Sequence, residues 1–193
     1  MNTPRGTTTP SSSPPPAPTD AASALAPAPR WAVLAAHVAA LTPLPSAIWR
    51  FGLVLGNHGG YTEQGYTDLD MTGWGAPWVT FLSLSTELAA LLTLGLVRPW
   101  GERPPHWVPF VGGRRMNPIL VTRVAWTGVA VLCLLWGQFL FWWALPHDEM
   151  TDAGADVLGL LYLPLVLWAP LLAAVTWSYR RRRLEAPTRA GAA

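Results

Sequence analysis

Three ionisable side chains sit where the surrounding sequence is otherwise apolar: His37, Arg50 and Glu87. An imidazole, a guanidinium and a carboxylate can form an ion pair, relay a proton or grip a polar ligand. In an apolar medium each such interaction strengthens, and each unpaired charge becomes more costly. Glu87 is the most informative, because it falls at the middle of the run 76–97. At the centre of a bilayer an acid costs about 3 kcal/mol on insertion scales. The leucines and Phe81 of the same run each offset a few tenths of a kcal/mol. The expectation is a helix that inserts with Glu87 facing protein or water.

Glu87 lies at about helical spacing with Thr80, Ser83, Thr86, Ala90 and Thr93, the small and hydroxylated residues that helix contacts in lipid favour. On straight helices Arg50 would sit roughly 8 Å nearer the outer surface than Glu87, a gap that an Arg side chain can largely bridge. His37 would face about 140° away from Arg50 on an ideal helix, so both reach Glu87 only if a kink at Pro43/Pro45 rotates the chain. Two readings follow. Arg50 and Glu87 form a buried pair that fixes the packing of two helices, or Arg50 snorkels outward over a protonated Glu87. Alternatively, Glu87 with His37 or Arg50 forms a proton relay or a substrate site. No catalytic, cofactor-binding or metal-ligating pattern accompanies them; the spacing of His58 and His147 matches no recognised metal site, and solvated acidic loops are the reading there. Cys133, the single cysteine, reads as a packed hydrophobe without an activating neighbour. Gly52 and Gly56 form a GxxxG at the outer end of the first run, a pattern for dimerisation or close packing.

The elements that must carry these residues are set by composition. Of 193 residues, 51% are hydrophobic and 12% charged, about half the charged fraction of a soluble domain. Four apolar runs, about 31–55, 76–97, 118–145 and 156–179, are each long enough as helices to cross a hydrocarbon core of about 30 Å. In lipid the backbone must satisfy itself, so the runs are read as helices; they are apolar nearly all round, which a soluble bundle would not be. The fold class is an all-α, four-helix transmembrane bundle. Asn117-Pro118 reads as an N-cap followed by a proline-first helix, and Pro99 as a stop. Pro43, Pro45, Pro164 and Pro170 predict kinks in the first and fourth helices. Residues 1–30, rich in Pro, Ser and Thr, read as a disordered cytoplasmic tail without a cleavable signal, and 180–193 as a basic cytoplasmic tail.

Charge orients the bundle. The loops after the first and third helices hold Glu63, Asp68 and Asp70, and Asp148, Glu149 and Asp152, with no Arg. The middle connection holds Arg98, Arg103, Arg114 and Arg115, and Arg123 lies just inside the third helix; the C-terminal tail opens on Arg180 to Arg183. The positive-inside rule then puts both termini in the cytoplasm of a multi-pass protein of the plasma (cell inner) membrane. Trp31, Trp100, Trp107 and Trp177 would line the inner interface, and Trp74, Trp78, Trp142 and Trp143 the outer one. A net charge of +2 is too small to suggest a nucleic acid partner. The partners expected are the lipid bilayer and a second copy or a membrane partner protein.

The segments LTPLPSAIWR and LGLVRPWGERPPHWVPFVGGRRMNP resemble those of uncharacterised small four-helix integral membrane proteins of actinobacteria. The resemblance spans about 31–179 and implies a topology, not an activity. A four-helix membrane isomerase of the emopamil-binding type also places His and Glu in its helices; here only His37 and Glu87 are comparable, and the second acid is missing. The expected function is a non-enzymatic lipid- or partner-interacting membrane component. The alternatives are a small transporter or channel component using Glu87, and a membrane enzyme acting on a lipid-like substrate.

Overall fold

The computed structural model describes residues 27–101, 106, 113 and 116–185. Residues 1–26 of the expected leader, Arg103, Trp107, Arg114, Arg115 and residues 186–193 lie outside it. Four helical stretches are long and apolar enough to cross a membrane: Arg30–Val54, Gly75–Gly95, Pro118–Ala144 and Asp152–Arg183. They are termed spans 1 to 4.

Span 1 is two helices, α1 (Arg30–Leu41) and α2 (Leu44–Val54), parted at Pro43. Pro43 has no N–H to give the carbonyl of Ala39. The Thr42 hydroxyl donates to that carbonyl instead, at 2.8 Å. The break is thereby satisfied without water. Gly56 terminates α2, and a Cβ added there would meet nothing within the chain. Its φ is +90°, and the Gly56 and Asn57 amides donate to Leu53 and Gly52 at 3.0 and 2.9 Å, a left-handed glycine cap. Span 2 is the single helix α4 (Gly75–Gly95), reached through the short α3 (Glu63–Asp68). Span 3 begins as α5 (Pro118–Trp136), whose Asn117 side chain accepts from the Ile119 amide at 2.9 Å. It then tightens into a 3-10 helix over Gly137–Ala144, where a regular helix was expected. In that geometry residues three apart eclipse, and Phe139 and Trp142 stack at 5.1 Å. Span 4 comprises α6 (Asp152–Val166) and α7 (Trp168–Arg180). Pro170 cannot donate to the carbonyl of Val166, which accounts for the break between them.

The packed pairs are α5 with α7, α1 with α7 and α4, and α2 with α4 and α6. The spans thus lie in the order 3–4–1–2, with 4 and 1 central. Burial agrees: 44% of the apolar stretch of span 1 and 33% of span 4 is buried within the chain, against 22% for span 2 and 11% for span 3. Every buried residue of α1 is alanine. Ala36 and Ala39 meet Ala90, Leu165, Val175 and Trp168 in one core, where short side chains let backbones approach closely.

At one end, the two loops that join the spans of each hairpin clasp each other. Tyr61 and Met150 form an antiparallel bridge. The Thr62 amide donates to the Glu149 carbonyl and the Thr151 amide to the Gly60 carbonyl, both at 3.0 Å. Each threonine hydroxyl also donates to that same carbonyl across the gap, at 3.1 Å. Each accepts from a glycine amide three residues on, Gly65 or Gly154, at 3.1 Å, and so caps α3 or α6. Glu63 and Asp152 open the two helices, where a negative charge complements the dipole. The pattern is a local pseudo-two-fold built on Thr62-Glu63-Gln64-Gly65 and Thr151-Asp152-Ala153-Gly154. It depends on Gly154, whose added Cβ would overlap the Gly60 backbone. Gly154→Ala is expected to lower stability in detergent by about 1–3 kcal/mol through overpacking. Gly137→Ala, which meets nothing, should change it by less than about 0.5 kcal/mol. Thermal unfolding of the two variants side by side checks this.

Candidate functional site

Arg50 lies one turn before the end of α2 and is buried, at 6% exposure. Its Nε donates to the Ser83 hydroxyl on α4 at 2.8 Å. Its Nη1 donates to the Tyr162 hydroxyl on α6 at 3.2 Å, and its Cζ stands 5.6 Å from the centroid of the Tyr162 ring. One guanidinium therefore ties spans 1, 2 and 4. Ser83 is oriented by its own donation to the Val79 carbonyl at 2.8 Å. That leaves its lone pairs to Arg50.

Glu87 is one turn further along α4, on the same side as Ser83. It is close enough to interact electrostatically with Arg50, but the two do not close to ion-pair distance: Arg50 Nη2 and Glu87 Oε1 are both buried without a hydrogen-bond partner. The reach that sequence spacing assigned to Glu87 is met one turn earlier, by Ser83. Along the expected polar stripe, Ser83, Ala90 and Thr93 are buried, whereas Thr80, Thr86 and Glu87 are only partly so. Glu87 thus stands at the edge of the packed face of span 2.

His37 lies apart from this pair. It is on α1, beyond the Pro43 break from Arg50. Its Nδ1 lies 2.7 Å from the Val33 carbonyl, and its Nε2 lies 3.3 Å from Arg98 Nη2. A carbonyl only accepts and a guanidinium only donates, so both contacts are hydrogen bonds in the tautomer that carries its proton on Nδ1. The break at Pro43 does not bring His37 to Glu87. At the same end Arg182 donates to the Leu96 carbonyl at the end of span 2, at 3.0 Å.

Around Arg50 runs an aromatic layer. The Tyr162 ring stacks on Phe139 at 5.0 Å and meets the edge of Trp49 at 5.9 Å. Trp49 donates to the Gly59 carbonyl at 3.0 Å and lies 5.9 Å from Tyr61. The layer thereby joins the guanidinium to the clasp of the loops. Burial pushes the Tyr61 hydroxyl up to about 12, and Tyr162 and the Glu149 carboxylate add to the rise. His58 stacks on Tyr66 at 4.3 Å and lies 3.6 Å from Glu63. His147 stacks on Trp142 at 3.7 Å. Among the described residues no three His, Cys, Asp or Glu side chains converge as a metal site would require.

Sequence reasoning missed Tyr162 and the clasp. A hydroxyl midway through an apolar run was the signal for the first, because a buried tyrosine seeks a partner for its O–H. The repeat of Thr, an acid, one residue and Gly after spans 1 and 3 was the signal for the second. No protein-family model, characterised protein or solved structure matches the chain.

Two outcomes follow from this geometry. Ser83→Ala should cost about 0.6 kcal/mol, and at most about 1.7, the range of hydrogen bonds between membrane helices. A double-mutant cycle with Tyr162→Phe should be non-additive, because both bonds converge on Arg50. Tyr61 remains a neutral phenol at pH values where an ordinary tyrosine, at 10, has ionised. Its raised value contributes stability that is complete below pH 10 and lost as pH rises through about 12. Tyr61→Phe should flatten the fall in stability over that interval, as read by alkaline unfolding in detergent.

Proposed function

We propose that the chain is a multi-pass protein of the plasma (cell inner) membrane, with both termini cytoplasmic. It works by binding lipid and a membrane partner, either a second copy or another integral protein, and not by turning over a substrate. The observation that carries this reading is the position of Glu87. It sits midway along a span that buries only 22% of its apolar stretch within the chain, on the edge of the packed face. A carboxyl there costs about 3 kcal/mol against lipid, and a second helix laid along that edge would remove it from lipid. Leu84 and Leu91, one turn to either side, are 59% and 50% exposed and offer the apolar flanks of such a contact. Four membrane-length helices and the charge asymmetry of their connections support the topology.

A second reading, a small transporter or channel component using Glu87, draws on the two unpartnered atoms, Arg50 Nη2 and Glu87 Oε1. Flux in proteoliposomes that Glu87→Gln abolishes would favour it. A membrane enzyme acting on a lipid-like substrate would need His37 beside Glu87, and His37 is engaged with Arg98.

In native membranes, a photoreactive residue replacing Leu91 is expected to capture a protein, self or other, and to lose the adduct when Glu87 is changed to Leu. At Ala89, about 160° around the helix, the same probe should capture lipid. Lipid adducts alone at both positions would overturn the partner reading. Topology is checked separately in a Cys133→Ser background. Cysteine at the exposed Gln64 should react with a membrane-impermeant maleimide from outside intact cells, and labelling only after lysis would reverse the orientation.

A further inference from the structure

Four of the described arginines at the end of the bundle away from the loop clasp are engaged by protein. Arg98 meets His37, Arg182 holds the Leu96 carbonyl, Arg181 lies 4.0 Å over the Trp177 ring, and Arg183 lies 5.6 Å from the Tyr179 ring. Arg123 and Arg180 differ. Both are exposed, and together they line an open groove of about 650 Å³ with Ile119, Thr122, Trp126 and Thr127. Among the described residues no acidic side chain lines it. The two threonine hydroxyls donate into their own helix, to the carbonyls of Pro118 and Arg123 at 2.8 and 3.1 Å. The two arginines therefore border an opening that meets no acidic side chain among the described residues.

The depth of the groove identifies what fills it. Arg123 lies five residues, about 7.5 Å, inside the start of span 3, and Arg180 lies near the end of span 4. The two spans run antiparallel, so both charges reach the same membrane interface, at the boundary between headgroups and acyl chains. One wall is apolar: Trp126 is 42% and Ile119 49% exposed. The groove opens along span 3, which buries only 11% of its apolar stretch within the chain. A soluble anion has no use for that wall, whereas an acyl chain does.

We infer that Arg123 and Arg180 form a binding site for the phosphate of an anionic phospholipid, with an acyl chain running inward along Trp126. Planar guanidiniums match phosphate oxygens in pairs, and an indole at the interface suits the glycerol region. The site rests on the chain's being embedded in a bilayer. It stands at the opposite end of the row of spans from Glu87, so its failure and that of the proposed partner contact are separately readable.

The full chain, purified in detergent and titrated with phosphatidylglycerol or phosphatidylcholine, tests this by native mass spectrometry. The wild type should retain phosphatidylglycerol preferentially. Arg123→Gln with Arg180→Gln should weaken it about 30-fold, the equivalent of about 1 kcal/mol per basic residue. Arg30→Gln with Arg181→Gln, the same change in charge outside the groove, should leave it within about threefold of wild type. Equal losses in both pairs would mean diffuse electrostatic attraction and overturn the site. Displacement of the lipid by millimolar inorganic phosphate would assign the groove to a soluble anion and also overturn it. Should the double variant fail to fold, brominated phosphatidylglycerol provides a second measurement. It should quench wild-type tryptophan fluorescence more than brominated phosphatidylcholine does, and Trp126→Phe should remove the excess. An excess that survives without Trp126 places the lipid elsewhere.

Discussion

A buried guanidinium needs hydrogen-bond acceptors, and the arrangement of three spans follows from how Arg50 finds them. Ser83 and Tyr162 come from different helices and meet at one side chain. In lipid no hydrophobic force draws apolar helices together, so packing and such polar contacts must do it. Removing either partner leaves a guanidinium N–H without its acceptor, which favours the register of α4 and α6 against α2 that supplies both. Alanines on α1 then allow spans 2 and 4 to approach span 1 closely. The break at Pro43 is tolerated because Thr42 satisfies the carbonyl that proline leaves free.

The same logic explains why Glu87 is not part of the tie. Ser83 is nearer to Arg50 and carries no charge of its own to desolvate, so the guanidinium bonds there first. The carboxyl is left a turn deeper, beside the charge but not bonded to it. Two demands meet at this place. The fold is served by a neutral acceptor, and the acid stays on the flank of span 2, partly buried and with one carboxyl oxygen enclosed. His37, by contrast, is absorbed locally by Val33 and Arg98.

Much of the fold was legible because lipid restricts the backbone so severely. The four runs, the Asn117-Pro118 start and the broken first and fourth spans follow from length, capping and proline chemistry alone. What could not be read was which polar group meets which. Spacing along α4 puts Ser83 and Glu87 on one face, but the choice between them depends on where α2 ends relative to α4, a tertiary fact. Tyr162 was hidden for a different reason: a tyrosine in a run of leucines carries the same composition signal whether its hydroxyl is bonded or free. At Gly56 the positive φ shows a role in ending α2 that the spacing of Gly52 and Gly56 alone does not reveal.

The clasp at Tyr61 and Met150 bears on how the protein is made. Ribosomes deliver the chain from its N-terminus, so the hairpin of spans 1 and 2 enters the bilayer first, with Arg50 able to reach only Ser83. The strand-like partner of Gly60 to Thr62 follows span 3, and the second acceptor, Tyr162, arrives only with the last span. Before they arrive the nascent hairpin carries an under-bonded guanidinium and an open loop edge. A membrane protease or chaperone that senses polar groups in lipid would thereby distinguish a truncated chain from a finished one.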